Sequence, residues 1–133
     1  RLLVFDTCAS GGAIQISRQG TNAFAFRSAF EQLGQQGGVF TLAASGATQE
    51  AHEVDDLKHG LLTYALLSGA NAADFGPLSD RHAEAASVES LDVLEWFGFA
   101  AGNVPRLTKQ YFGSEQQVHL SGTGTTFPVL SIR

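Results

Sequence analysis

The sequence predicts an α/β fold: a mostly parallel sheet with helices on both faces. Three observations predict it. Two short runs, at residues 2–5 and 39–44, are nearly all apolar, the pattern of strands buried on both faces rather than the alternation of a half-wetted sheet. Between and after them lie segments whose apolar residues recur at helical spacing. The resulting order (strand, helix, strand, helix, helix, strand) is that of layered α/β domains.

Taken in order, residues 2–6 form the first strand, Leu2-Leu3-Val4-Phe5 running into Asp6. Thr7 to Gly12 is a turn, broken by Ser10-Gly11-Gly12. Ile14 and Ile16 alternate with Gln15 and Ser17 over too short a run to assign. Thr21 to Gln35 reads as a helix, capped by Thr21 or Asn22, with Phe26, Ala29, Phe30 and Leu33 on one stripe. Gln35-Gln36-Gly37-Gly38 ends it, and Val39 to Ala44 is the second strand. Ser45 to Lys58 is a polar, acidic loop carrying Glu50, Glu53, Asp55 and Asp56. Gly60 to Ala70 is a helix apolar on most sides, as expected of one buried against a sheet. Asn71 to Ala86 is linker-like. A further helix starts at Ser87 or Ser90 and carries Leu91, Val93, Leu94, Trp96 and Phe97. Gly98 and Gly102 weaken its end, and Pro105 suits the first turn of a second short helix. Gly113 to Thr126 reads as loop and Phe127 to Ile132 as the last strand.

Composition excludes several classes of function. At 133 residues the chain is one domain at most, just large enough to bury a core. Eight Lys and Arg stand against thirteen Asp and Glu, a net charge of −5. A sequence-general nucleic-acid binder needs a basic footprint, and this chain has none. With 44% hydrophobic and 16% charged residues it is ordinary globular material. Its apolar runs fall far short of the ~20 residues of a membrane span, and no signal-peptide pattern opens it, so a cytoplasmic location and no membrane partner are expected. One cysteine excludes an internal disulfide and any multi-cysteine zinc site. The chain has no Met and opens on a strand after one residue. It is therefore expected to be a piece of a larger polypeptide, with the apolar edge of its first strand completed by a preceding segment or a second chain.

In parallel α/β sheets, chemistry collects beyond the carboxyl ends of strands. Cys8 lies there, on the glycine-rich turn after the first strand. A thiolate held rigidly beside a freed backbone N–H is a strong nucleophile with an oxyanion donor at hand. The plain alternative is a small buried core residue. Asp6, two residues earlier, projects to the same side and suits a substrate cation; the alternative is a helix cap or turn-stabilising Asp. Glu50 and Glu53 follow the second strand, whose loop would approach Asp6 if the strands are neighbours. Two converging carboxylates favour Arg or Lys, the guanidinium being the better match; the alternative is a solvated acidic face. The histidines, His52, His59, His82 and His119, have no metal-ligand spacing to one another or to Cys8. His52 alone sits in a loop near Cys8 and is the fallback base within the chain.

Val4-Phe5-Asp6-Thr7-Cys8-Ala9-Ser10-Gly11-Gly12 resembles the strand and loop of the caspase-like cysteine peptidases, especially the metacaspase, paracaspase and bacterial orthocaspase branches, where an apolar strand runs into Asp-x-Cys-x-Ser-Gly. Phe40-Thr41-Leu42-Ala43-Ala44-Ser45 with Gln49-Glu50-Ala51-His52-Glu53 resembles their next strand and acidic loop. His59-Gly60-Leu61-Leu62-Thr63-Tyr64-Ala65-Leu66-Leu67 is similar to the family's Gly-x-Phe-Thr-x-Ala-Leu-Leu helix. Asn103-Val104-Pro105 and Thr126-Phe127-Pro128-Val129 add a weaker match. The ordinary caspase signature carries Gln where this chain has Asp6.

The resemblance implies a caspase-like three-layer sandwich of which residues 1–133 are the C-terminal portion. It implies Cys8 as nucleophile, Asp6 as an acid of the P1 pocket, Glu50 as the second such acid, and Ala44, Ser45 and Gly46 as the edge to which an extended polypeptide substrate adds. The family's catalytic His and its adjacent Gly lie upstream, so they are expected on a complementary segment or chain. Ala13-Ile14-Gln15-Ile16 lacks the acid of the calcium-dependent metacaspases, and no metal or cofactor is expected. The implied activity is a prokaryotic, Arg- or Lys-specific cysteine endopeptidase. Two readings stand beside it: a catalytically inactive caspase-like scaffold or sensor domain, and an unrelated flavodoxin-like binding domain with an inert Cys8.

Overall fold

The computed structural model describes residues 1–6, 28, 31, 32, 35, 37–44, 53–113 and 116–132. Strand β1 (Leu2–Phe5) lies parallel to β2 (Phe40–Ala43), pairing Leu2 with Phe40 and Phe5 with Ala43. On its other side β2 pairs antiparallel with β6 (His119–Gly122), giving the order β1-β2-β6. Two shorter antiparallel pairs complete the strands. One joins β3 (Glu53–Val54) to β4 (His59–Gly60), and the other joins β5 (Ser90–Asp92) to β7 (Pro128–Ser131).

The fold is α/β, but its sheets are mixed rather than mostly parallel among the described residues. The difference lies in residues 113–126, which the sequence reads as loop and which contain β6, and in the last strand, which pairs antiparallel with β5 apart from β1 and β2. His119-Leu120-Ser121-Gly122 has one hydrogen-bonded neighbour among the described residues and no fully buried residue. A strand that buries no continuous apolar run leaves no such run in the sequence.

β2 is as expected. All four residues are buried, as an apolar run flanked by strands on both edges requires. β1, read as an interior strand, has a partner on one side only among the described residues, and Val4 is 42% exposed.

Helix α1 (Leu61–Gly69) runs as expected within a residue of each end. Leu61, Leu62, Tyr64, Ala65 and Leu66 are all buried. They join Phe40, Leu42 and Ala44 in one core with α2 (Val93–Phe112). Each fully buried Leu or Phe contributes about 1.5–3 kcal/mol. The indole N–H of Trp96 on α2 donates to the Leu66 carbonyl at 2.8 Å, tying the two helices. The helix expected over residues 21–35 falls largely outside the described residues; positions 28, 31, 32 and 35 are helical.

α2 corrects two expectations. Ser90 lies in β5, and the helix is capped by Asp92, which accepts from the Leu94 N–H at 2.9 Å while Glu95 accepts from the Asp92 N–H at 2.8 Å. This reciprocal arrangement satisfies two donors that a helix start leaves orphaned. The helix also continues through Pro105 for twenty residues instead of restarting there. An interior proline costs about 3 kcal/mol, and one buried face (Val93, Phe97, Ala100, Val104, Leu107) running to either side of it offsets that.

Residues 71–86 have little regular structure beyond a 3-10 turn at Gly76–Leu78, yet Ala73, Leu78 and Ala83 are buried. The Tyr64 hydroxyl holds this stretch, donating to the Phe75 carbonyl at 2.7 Å and accepting from the Leu78 N–H at 2.9 Å. Gly76 between them has φ +74, and a Cβ there would lie 2.7 Å from the same hydroxyl oxygen. Tyr64→Phe leaves a buried N–H and a carbonyl without this partner. It should destabilise the fold by about 1–3 kcal/mol, read as a lower urea midpoint at unchanged slope.

Candidate functional site

The parallel pairing of β1 and β2 brings their carboxyl ends together, so Asp6 and Ala44 leave the sheet side by side. The Ala44 N–H continues the ladder by donating to the Phe5 carbonyl at 2.8 Å. The Ala44 carbonyl accepts from the side-chain amide of Gln116, which is itself buried. Both main-chain groups of Ala44 thus have partners within the chain, and Ser45 and Gly46 follow it in sequence. Those two residues, with Cys8, Glu50 and His52, lie outside the described residues.

Asp6 is half-buried and reaches the start of α1. Its Oδ2 accepts from the backbone N–H of Thr63 at 2.9 Å and from the Thr63 hydroxyl. Thr63 is the third residue of the helix, so its N–H has no carbonyl partner within the helix. The residue at the cap position, Gly60, has no side chain to offer. The carboxylate of Asp6 takes that role from 57 residues away in sequence. The local N-cap or turn role that the sequence offers for Asp6 concerns the residues that follow it, which lie outside those described. The contact present is with the third residue of a helix far along the chain, and it leaves Oδ1 without a hydrogen-bond partner among the described residues.

The other candidates sit apart. His59 is exposed on β4, two residues before α1 begins at Leu61. His82 is exposed and lines an open cleft of about 240 Å³ at the far end of α1, with Asn71, Leu130 and Ile132. His119 is half-buried on β6. Among the described residues no three His, Cys, Asp or Glu side chains gather as a metal site, and no helix is long and apolar enough to cross a membrane. Tyr111 on α2 has its phenol pushed above the ordinary value, first by burial and then by Tyr64 and Asp56. It therefore carries no charge at neutral pH.

Sequence reasoning missed Gln116, which carries no local signal, and it missed the use of Thr63. Thr63 stands within the His59 to Leu67 stretch already singled out, but nothing local to that stretch names Asp6 as its partner. The cap has a direct consequence. Asp6→Ala removes the acceptor and should destabilise the chain by about 0.5–2 kcal/mol. Asp6→Asn keeps an oxygen for Thr63 and should lose less than half as much in the same urea titration.

Compared with models of known protein families, with curated proteins and with solved structures, the chain matches none.

Proposed function

We propose that this chain is the C-terminal portion of a caspase-like cysteine endopeptidase that cleaves polypeptides after Arg or Lys in the cytoplasm. The observation that carries the reading is the side-by-side exit of Asp6 and Ala44 from parallel strands, the position where α/β sheets hold their chemistry. Cys8 follows Asp6 by two residues, and Glu50 follows Ala44 by six. A His on a complementary segment or chain takes the thiol proton. The Cys8 sulfur then bonds to the scissile carbonyl carbon, and the peptide nitrogen leaves with that proton as a thioester forms. Water, deprotonated by the same His, releases the acid and restores the thiol. The edge of β1 away from β2, which has no partner among the described residues, suits the strand of such a segment. Asp6 and Glu50 hold the P1 cation, with Arg preferred because its fork binds two acceptors.

The inactive-scaffold reading has one observation in its favour. The bond of Asp6 to Thr63 gives that acid a structural use that needs no substrate. The two readings part on the activity of the full-length protein. Cys8→Ala should abolish cleavage of peptidyl-Arg substrates while leaving the fold intact. Residual activity within about tenfold of wild type, a barrier change of only ~1.4 kcal/mol, would exclude Cys8 as the nucleophile. A peptide library should return Arg above Lys at P1. A preference for Asp there would overturn the pocket assignment, since two carboxylates repel a third.

A further inference from the structure

We infer that Thr63 is a positioning residue for recognition of the P1 cation, setting the carboxylate of Asp6 before substrate arrives. The inference rests on the reading of Asp6 as a P1 acid. It goes beyond that reading by assigning the orientation of Asp6 to Thr63 and Gly60.

A helix start needs acceptors for its free N–H groups, and the cheapest source is a Ser, Thr or Asp at the cap position itself. Here the cap position is Gly60, with φ −60 and ψ 152, extended backbone that any residue adopts. Conformation therefore does not ask for glycine. Space does: a Cβ at residue 60 would lie 2.6 Å from Oδ2 and 2.8 Å from Oδ1 of Asp6. The local cap is given up, and a remote carboxylate is admitted in its place. The arrangement serves the helix start and also holds Asp6.

What it does for Asp6 is geometric. Two donors from one residue, the N–H and the hydroxyl of Thr63, meet on the single oxygen Oδ2. Gripping one oxygen from two directions fixes the plane of the carboxylate. The other oxygen, Oδ1, is left without a partner among the described residues. A guanidinium pairs best with a carboxylate whose plane is already set. Ordering the acid in advance also removes that entropy loss from the binding step. The hydroxyl matters most, because the backbone N–H remains in any variant at residue 63.

The test uses the full-length protein and two peptide substrates differing only at P1, one with Arg and one with citrulline, its neutral isostere. Thr63→Val keeps the branched shape and removes the hydroxyl donor. It should lower kcat/KM for the Arg substrate by about tenfold, mainly through KM, and for citrulline by no more than about twofold. Thr63→Ser should restore the Arg preference. Gly60→Ala should reproduce the loss without touching any donor, and it serves if Thr63→Val fails to fold. The rate of Cys8 alkylation by iodoacetamide reports whether the nucleophile itself is disturbed. Arg and citrulline falling together, or an unchanged ratio in both variants, would leave the bond between Thr63 and Asp6 as a helix cap and nothing more. If the wild-type protein shows no Cys8-dependent preference for Arg over citrulline, the P1 reading of Asp6 fails first, and the positioning role goes with it.

Discussion

The structure depends on the burial of β2. A strand covered on both faces and flanked on both edges has no water to satisfy its main chain, so every N–H and C=O must find a partner in the protein. β1 and β6 provide those partners along Phe40–Ala43. The same demand continues one residue further. At Ala44 the N–H meets Phe5 and the carbonyl meets the amide of Gln116, a side chain from well beyond α2. The β1 carboxyl end and the segment after α2 are thereby fixed on the same point, and the position of Asp6 follows. The side chains of β2 are less fully served: Thr41 Oγ1, on the face of β2 opposite Leu42, is buried without a hydrogen-bond partner among the described residues.

How much of this was legible in the sequence depended on whether the deciding contacts were local. Phe40–Ala43 and Leu61–Gly69 were legible because burial on most sides demands mostly apolar residues, and such runs are visible in one dimension. The start of α2 was also visible in principle. Asp92 and Glu95 stand three apart, the spacing of a reciprocal cap, but Ser87 and Ser90 compete for the same role on composition alone. Pro105 misled because the rule against interior prolines is local, whereas the packing of Phe97, Ala100, Val104 and Leu107 that overrides it is not. β6 was invisible because it buries no apolar run.

The candidate site divides in the same way. The acid at the strand end and the thiol beyond it were nameable from spacing, because strand ends are marked by the turn residues that follow them. The partner of Asp6 was not, since a contact between residues 57 apart appears only when the helix carrying Thr63 is laid across the end of β1. Gln116 is the extreme case: an ordinary glutamine in a polar stretch becomes one of the largest fully buried side chains among the described residues.

The stretch from Asn71 to Asp92 shows what sparse secondary structure does and does not mean. Near one end the Tyr64 hydroxyl, from α1, grips the backbone at Phe75 and Leu78. Near the other, the two carboxylate oxygens of Glu95, from α2, take the N–H groups of Ala86 and Asp92. A segment anchored to two different helices cannot peel away from one without straining its hold on the other. Its release is coupled to the separation of α1 from α2, so its amides should exchange with solvent as part of the helical unit rather than as those of a tether.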